Sequence, residues 1–178
     1  MLLSYYELRN LVRGGVINAP EEHINGSSID VRLGDTLYYE DAKGGVVDLA
    51  KKGVPSMRKI VMGEHGYTML PGQFLLAQTV EVFNLPSTIS CEFKLKSSGA
   101  RAGLDNALAT WCDPHWHGSV LTLELKNNLQ FHRLKLTPGM KIGQMVFYRA
   151  DSVPVDKGYG VRGQYNGDTE AQPSKGLR

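Results

Sequence analysis

Apolar residues fall at every second position through much of this chain, and glycine and proline cut that alternation into short runs. The start is different. Ser4-Tyr5-Tyr6-Glu7 has capping-box spacing, and Leu8, Leu11 and Val12 recur at helical intervals until Gly14-Gly15, which predicts one short amphipathic helix. Within residues 24–34 (INGSSIDVRLG), Ile29, Val31 and Leu33 then alternate against Asp30 and Arg32, the pattern of a half-buried strand. Asp30 and Arg32 share its other face, as a surface ion pair or as the brace of a site or subunit contact. Residues 36–61 read as hairpins and loops with no evident chemistry. Pro71-Gly72 precedes a long strand over 73–83, Asn84-Leu85-Pro86 turns it toward a strand over 89–95, and further strands follow over 119–125 and 140–148. From Ala150, glycines among Tyr159, Arg162 and Tyr165 give the make-up of a flexible tail, one that orders over a bound anion or simply frays.

With 178 residues the chain fits a single domain, 1–178, long enough to bury a core without staples. Twenty glycines and eight prolines in short clusters argue for strands and turns over a helical bundle. A net charge of +2, with dispersed basic residues, makes a nucleic-acid polymer or an anionic membrane a poor primary partner and leaves small anions open. No apolar run of about 18 residues and no charged-then-apolar leader stand out, so a cytoplasmic protein is the expectation. Cys91 and Cys112 lack CxxC spacing and read as reduced thiols, in the core or near a site.

Candidate chemistry concentrates in three places. Lys94, Lys96 and Arg101 surround the hydroxyls of Ser97 and Ser98, while Gly99, Ala100 and Gly103 keep bulk low where a ligand would approach the backbone. That composition suits a phosphate cradle; a solvated strand end before a glycine turn is the plainer reading. Asp113 lies between Trp111 and Trp116, where a carboxylate can orient a water, a ribose hydroxyl or an amide. Cys112, Asp113, His115 and His117 also resemble zinc ligands, yet no remote second pair completes the set. Glu124 is a lone carboxylate in the apolar run SVLTLEL, where ionisation without a partner is costly. It points to solvent, or it meets a cation such as Arg101, or it holds a proton near neutral pH and serves as general acid and base. Gln144, after Gly143, offers an amide to a polar ligand edge.

Taken together, INGSSIDVRLG at 24–34, KSSGARAGL at 96–104, Asp113-Pro114, TLEL at 122–125, PGMKIGQMVF at 138–147 and the tyrosine-containing glycine tail resemble the trimeric dCTP deaminase and dUTPase superfamily, in its deaminase branch. The resemblance spans nearly the whole chain and rests on shared order and spacing. It implies a mainly β subunit, a distorted jelly roll or β-barrel with one or two short helices, assembled as a homotrimer with active sites between subunits. It further implies zinc-independent hydrolysis of dCTP to dUTP and ammonia, with magnesium carried on the triphosphate and dTTP as a candidate feedback inhibitor. By position Glu124 matches the catalytic glutamate, with Ser97 and Arg101 assisting. The stretch Lys96, Ser97, Ser98, Gly99, Ala100 and Arg101 matches the phosphate- and base-contacting loop, Asp113 the sugar-side carboxylate, and the backbone of Thr122 and Leu123 the base-reading strand. Gln144 and Tyr159 match triphosphate-pocket positions.

Several positions depart from the family pattern. His115 and Trp116 replace a glycine and an aromatic, and Thr110-Trp111 with Gln144 resembles the branch that continues from dUTP to dUMP and diphosphate. In the tail, Gln164 and Asp168 stand where a lysine and a glutamine are usual, which removes a positive charge from the phosphate grip and adds a negative one, with Arg162 placed to compensate. A dUMP-forming enzyme and a silent nucleotide-binding trimer are therefore the alternatives to a dUTP-releasing deaminase.

Overall fold

The alternating segments fold as strands, and the chain as a mainly β structure, described for residues 1–107 and 109–177 in a computed structural model. After helix α1 (Tyr5–Arg13) come β1 (Ile29–Arg32), β2 (Thr36–Glu40), β3 (Met57–Val61), β4 (Tyr67–Met69), β5 (Phe74–Asn84) and β6 (Ile89–Leu95). Helix α2 (Ser97–Arg101) separates these from β7 (Leu104–Asn106), β8 (Trp111–Cys112), β9 (His117–Asn127), β10 (Leu134–Leu136) and β11 (Lys141–Arg149), and α3 (Tyr159–Arg162) lies in the tail. A five-stranded sheet runs β3-β2-β5-β9-β7, a four-stranded one β1-β11-β6-β8, and β10 pairs with β4. Every pairing among the named strands is antiparallel.

The core lies between the sheets. Ile29, Val31, Phe93, Met145 and Phe147 face it from the four-stranded sheet and Leu75, Ala77, Leu123 and Leu125 from the five-stranded one, all buried. Leu8 and Leu11 of α1 join them, the Glu7 carboxylate accepts the Ser4 N–H at 3.3 Å, and Gly15 at φ +71° lets the chain turn away. The sheet at Gly143 is tight: a Cβ there would fall 2.1 Å from the Phe93 ring.

The β5–β9 register shifts between Gln78 and Val82. Within the bulge the Thr79 hydroxyl replaces a ladder bond, accepting the Leu121 N–H at 3.0 Å and donating to the Glu81 carbonyl at 2.8 Å. Glu81 is thereby directed inward and fully buried, and its carboxylate accepts the Arg32 backbone N–H at 2.8 Å and the Arg32 Nε at 2.9 Å. Asp30 and Arg32 are thus not a surface pair with each other. The carboxylate of Asp30 is buried against two lysines and Arg32 serves Glu81. Replacing Glu81 by Ala leaves the Arg32 guanidinium without its acceptor, and a urea titration should show a loss of roughly 2–4 kcal/mol.

Candidate active site

Strand β9 carries Leu123 and Leu125 in the core, so Thr122 and Glu124 stand on its opposite face. Leu76 lies opposite Glu124 and Gln78 opposite Thr122 on β5. That face floors a cavity of about 460 Å³ whose walls include Met57, Phe74, Leu76, Trp111 and Trp116. Pro55 and Met57 belong to the 36–61 stretch for which no chemistry was expected. Glu124 is half-buried in this apolar setting, and its Oε2 is enclosed without a hydrogen-bond partner among the described residues. Burial pushes its carboxyl up to about 7, so the group exchanges a proton near neutrality.

The tail closes the other side of the cavity with Tyr159, Tyr165, Asp168, Gln172 and Ser174. Its docking is specific. The Trp116 indole, stacked on Phe83 with centroids 5.2 Å apart, donates to the Tyr165 carbonyl at 2.8 Å. The Val120 N–H donates to the Asp168 carbonyl at 2.9 Å, the Ala171 N–H to Gln78 Oε1 at 2.6 Å, and the Gln172 N–H to Thr122 Oγ1 at 3.2 Å. Lys175 sits over the Tyr165 ring and pairs with Asp168 at 3.0 Å, while Lys59 pairs with Glu170.

The cradle residues lie elsewhere in the chain. Lys96 caps a five-residue helix, with Ser97, Ser98, Ala100 and Arg101 exposed on it and Gly99 against Leu104. Its ammonium is fixed by Asp30 at 2.7 Å; Lys141 reaches the other Asp30 oxygen at 3.2 Å and Asn25 donates at 2.9 Å. Burial raises the Asp30 pKa, but the Lys96, Asn25 and Lys141 contacts outweigh it and the carboxyl stays below its ordinary range. Gln144, opposite Asp30 and Lys94 in the sheet, accepts the Ser28 hydroxyl at 3.0 Å, so it belongs to this polar group and not to the Glu124 cavity of the same chain. Arg101 does not line the Glu124 cavity, and Glu124 Oε2 meets no hydrogen-bond partner among the described residues of its own chain.

The dCTP deaminase-like family model matches residues 2–150. The chain belongs to the dCTP deaminase-like family. It is 35% identical to the dUMP-forming dCTP deaminase of Aquifex aeolicus, over 98% of this chain and 94% of that protein. With the enzyme of the same description from Acidothermus cellulolyticus it shares 38% identity, covering 98% and 95%. Its fold is that of the crystallised 2′-deoxycytidine 5′-triphosphate deaminase from Agrobacterium tumefaciens, with a TM-score of 0.65 at 18% identity, over 84% of this chain and 48% of that one.

In this dCTP deaminase-like chain, Glu124, Thr122, Tyr159 and Asp168 gather at one cavity. Leu123 turns its side chain into the core, leaving its backbone to the strand. Asp113 is exposed and accepts the Trp111 indole N–H at 2.8 Å, beside cavity residues Trp111 and Cys112. Arg162 is exposed on α3, and Gln164 donates to the Gly176 carbonyl at 3.2 Å and so ties the tail to itself. The suggested zinc set is dispersed: Cys112 is buried beside Cys91, His115 contacts the Val153 carbonyl at 3.1 Å, and His117 is exposed. Among the described residues no three such side chains converge, and no helix is long and apolar enough to cross a membrane. Sequence reading missed Phe74, Leu76, Gln172 and Lys175. The first two share a face with Glu124 only through a register that alternation does not reveal.

Trp116→Phe removes the indole donor to Tyr165. Docking of the tail should weaken by about 1 kcal/mol, seen as faster protease cleavage within residues 159–176 while the thermal transition of the body moves little.

Proposed function

We propose that this protein converts dCTP to dUMP, ammonia and diphosphate, with Glu124 as the group that moves the proton. The observation that carries the reading is a carboxyl raised to about 7 by burial in an apolar cavity, its Oε2 without a hydrogen-bond partner among the described residues, in a chain of the dCTP deaminase-like family. The dUMP-forming relatives shift the product from dUTP, the first expectation, to its hydrolysed form, and Thr110-Trp111 and Gln144 favour the same outcome.

In this reading the chain is a homotrimer, and the α2 segment of a neighbouring subunit completes each cavity. The exposure of Ser97, Ser98 and Arg101, and their absence from their own chain's cavity, support that arrangement. Water attacks C4 of cytosine and gives a proton to the Glu124 carboxylate, which passes it to ring N3; the proton of the new C4 hydroxyl then moves by way of the same carboxylate to the amino nitrogen, which leaves as ammonia as the C4 carbonyl forms. Ser97 holds the water or the departing nitrogen, and Arg101 orients the carboxylate. Backbone groups of Thr122 and Leu123 read the base edge and Asp113 lies on the sugar side. Lys96, the α2 backbone at Ser98, Gly99 and Ala100, Gln144, Tyr159, Arg162 and Gln164 form the triphosphate grip. Asp168 is neutralised there by Lys175. The substrate enters as its magnesium complex, and attack of a second water on the α-phosphorus of dUTP releases diphosphate. dTTP fits the same grip but carries an oxygen in place of the amino group, so it inhibits without reacting. A cytoplasmic location belongs to the same reading.

Incubation with magnesium and dCTP should yield ammonia, dUMP and diphosphate in equal amounts by chromatography; accumulation of dUTP alone would remove the second step. Glu124→Gln should lower kcat by roughly 10²–10⁴, and unchanged turnover would end the mechanism. Since the carboxylate must be ionised to accept water's proton, kcat/KM falls as pH drops through its pKa. A neighbouring guanidinium favours the charged form, so the acid limb lies below the value of about 7 that burial alone gives, and Arg101→Met moves it up toward that value. Mixed trimers of Glu124→Gln and Arg101→Met chains should regain activity at about one site in four. No recovery on mixing excludes sites shared between subunits.

A further inference from the structure

The mechanism leaves two nucleophilic side chains unused. Cys91 on β6 and Cys112 on β8 are directly opposed across an antiparallel pair, both as free thiols. Opposed residues in such a pair have Cα atoms about 4.5–5.5 Å apart with side chains on the same face, within the roughly 4.4–6.8 Å that a disulfide spans. The thiols are near enough to interact: burial, and then the neighbouring Cys112 sulfur, raise the Cys91 pKa. Their access to solvent differs. Cys91 is wholly enclosed at 0% exposure, whereas Cys112, at 4%, forms part of the cavity wall beside Trp111.

We propose that Cys91 and Cys112 form a reversible thiol–disulfide pair, oxidised by hydroperoxides that enter through the nucleotide cavity. The sulfur of Cys112, as thiolate, attacks the distal peroxide oxygen. The O–O bond breaks, water or an alcohol leaves, and Cys112 becomes a sulfenic acid. The Cys91 sulfur then attacks that sulfur, its proton and the sulfenic hydroxyl departing as water, so two thiols are oxidised and one peroxide is reduced. The S–S bond is about 2.05 Å long, well inside the contact distance of two thiols. Cys112 is therefore drawn toward β6 and away from the cavity. β8 is only Trp111–Cys112, so the shift is passed to Trp111, to Asp113 and to the hydrogen bond between them. In a reducing compartment the pair rests as thiols and closes only under oxidant.

The effect on turnover rests on the proposed function, but the bond does not. Purified protein treated with hydrogen peroxide, alkylated, digested and analysed by mass spectrometry should give one peptide pair joined through Cys91 and Cys112, which dithiothreitol separates. Recovery of both cysteines as free thiols, or of Cys112 as sulfinic acid beside an untouched Cys91, overturns the proposal. dCTP turnover should fall roughly tenfold or more on oxidation and return on reduction; a mapped disulfide with unchanged turnover overturns its link to the cavity. Cys91→Ser, with Cys91→Ala as a second variant, should keep basal turnover and lose the peroxide response. A protein without dCTP turnover before oxidation defeats the functional reading alone, since peptide mapping still decides the bond.

Discussion

An acid is held against an apolar wall because its neighbours along β9 belong to the core. Leu123 and Leu125 are buried, and moving β9 by one residue would expose them while sending Glu124 into the interior. Hydrophobic packing thus fixes where the carboxylate stands, and the same packing deprives it of water. Its raised proton affinity follows from burial among the side chains around it.

The α2 segment is anchored differently. Asp30, buried on β1, holds the ammonium of Lys96 at the mouth of α2, so the hydroxyls and guanidinium that follow start from a fixed point. This salt bridge sits on the four-stranded sheet, whereas Glu124 sits on the five-stranded one. Each chain therefore presents an apolar cavity holding a carboxyl and, apart from it, a displayed cation-and-hydroxyl segment.

Much of this was legible in the residue pattern. The helix over Tyr5–Arg13 and the strands carrying Ile29–Arg32, Phe74–Asn84 and Lys141–Arg149 follow from period and punctuation. Glu124 stood out as a charge among β-formers. The cavity's apolar wall did not, because Phe74 and Leu76 look like ordinary strand residues until the register with β9 is known. The partners of Asp30 and Arg32 were hidden for a related reason. Lys96, Lys141 and Glu81 are far away in sequence, and a one-dimensional pattern shows a charge without showing what it meets. The short helix at Ser97–Arg101 was also unforeseen, since two serines and a glycine in so brief a stretch carry little helical propensity.

The tail's attachment has a bearing on how this chain can change over generations. Asp168 and Tyr165 lend carbonyls, and Ala171 and Gln172 lend amide hydrogens, to partners on the β scaffold. Every amino acid has the carbonyl and all but proline the amide, so these tethers survive most substitutions in the tail. Side chains there can change with the strap still finding its seat. Gln78, Trp116 and Thr122, which receive it through their side chains, are the positions with little room to vary.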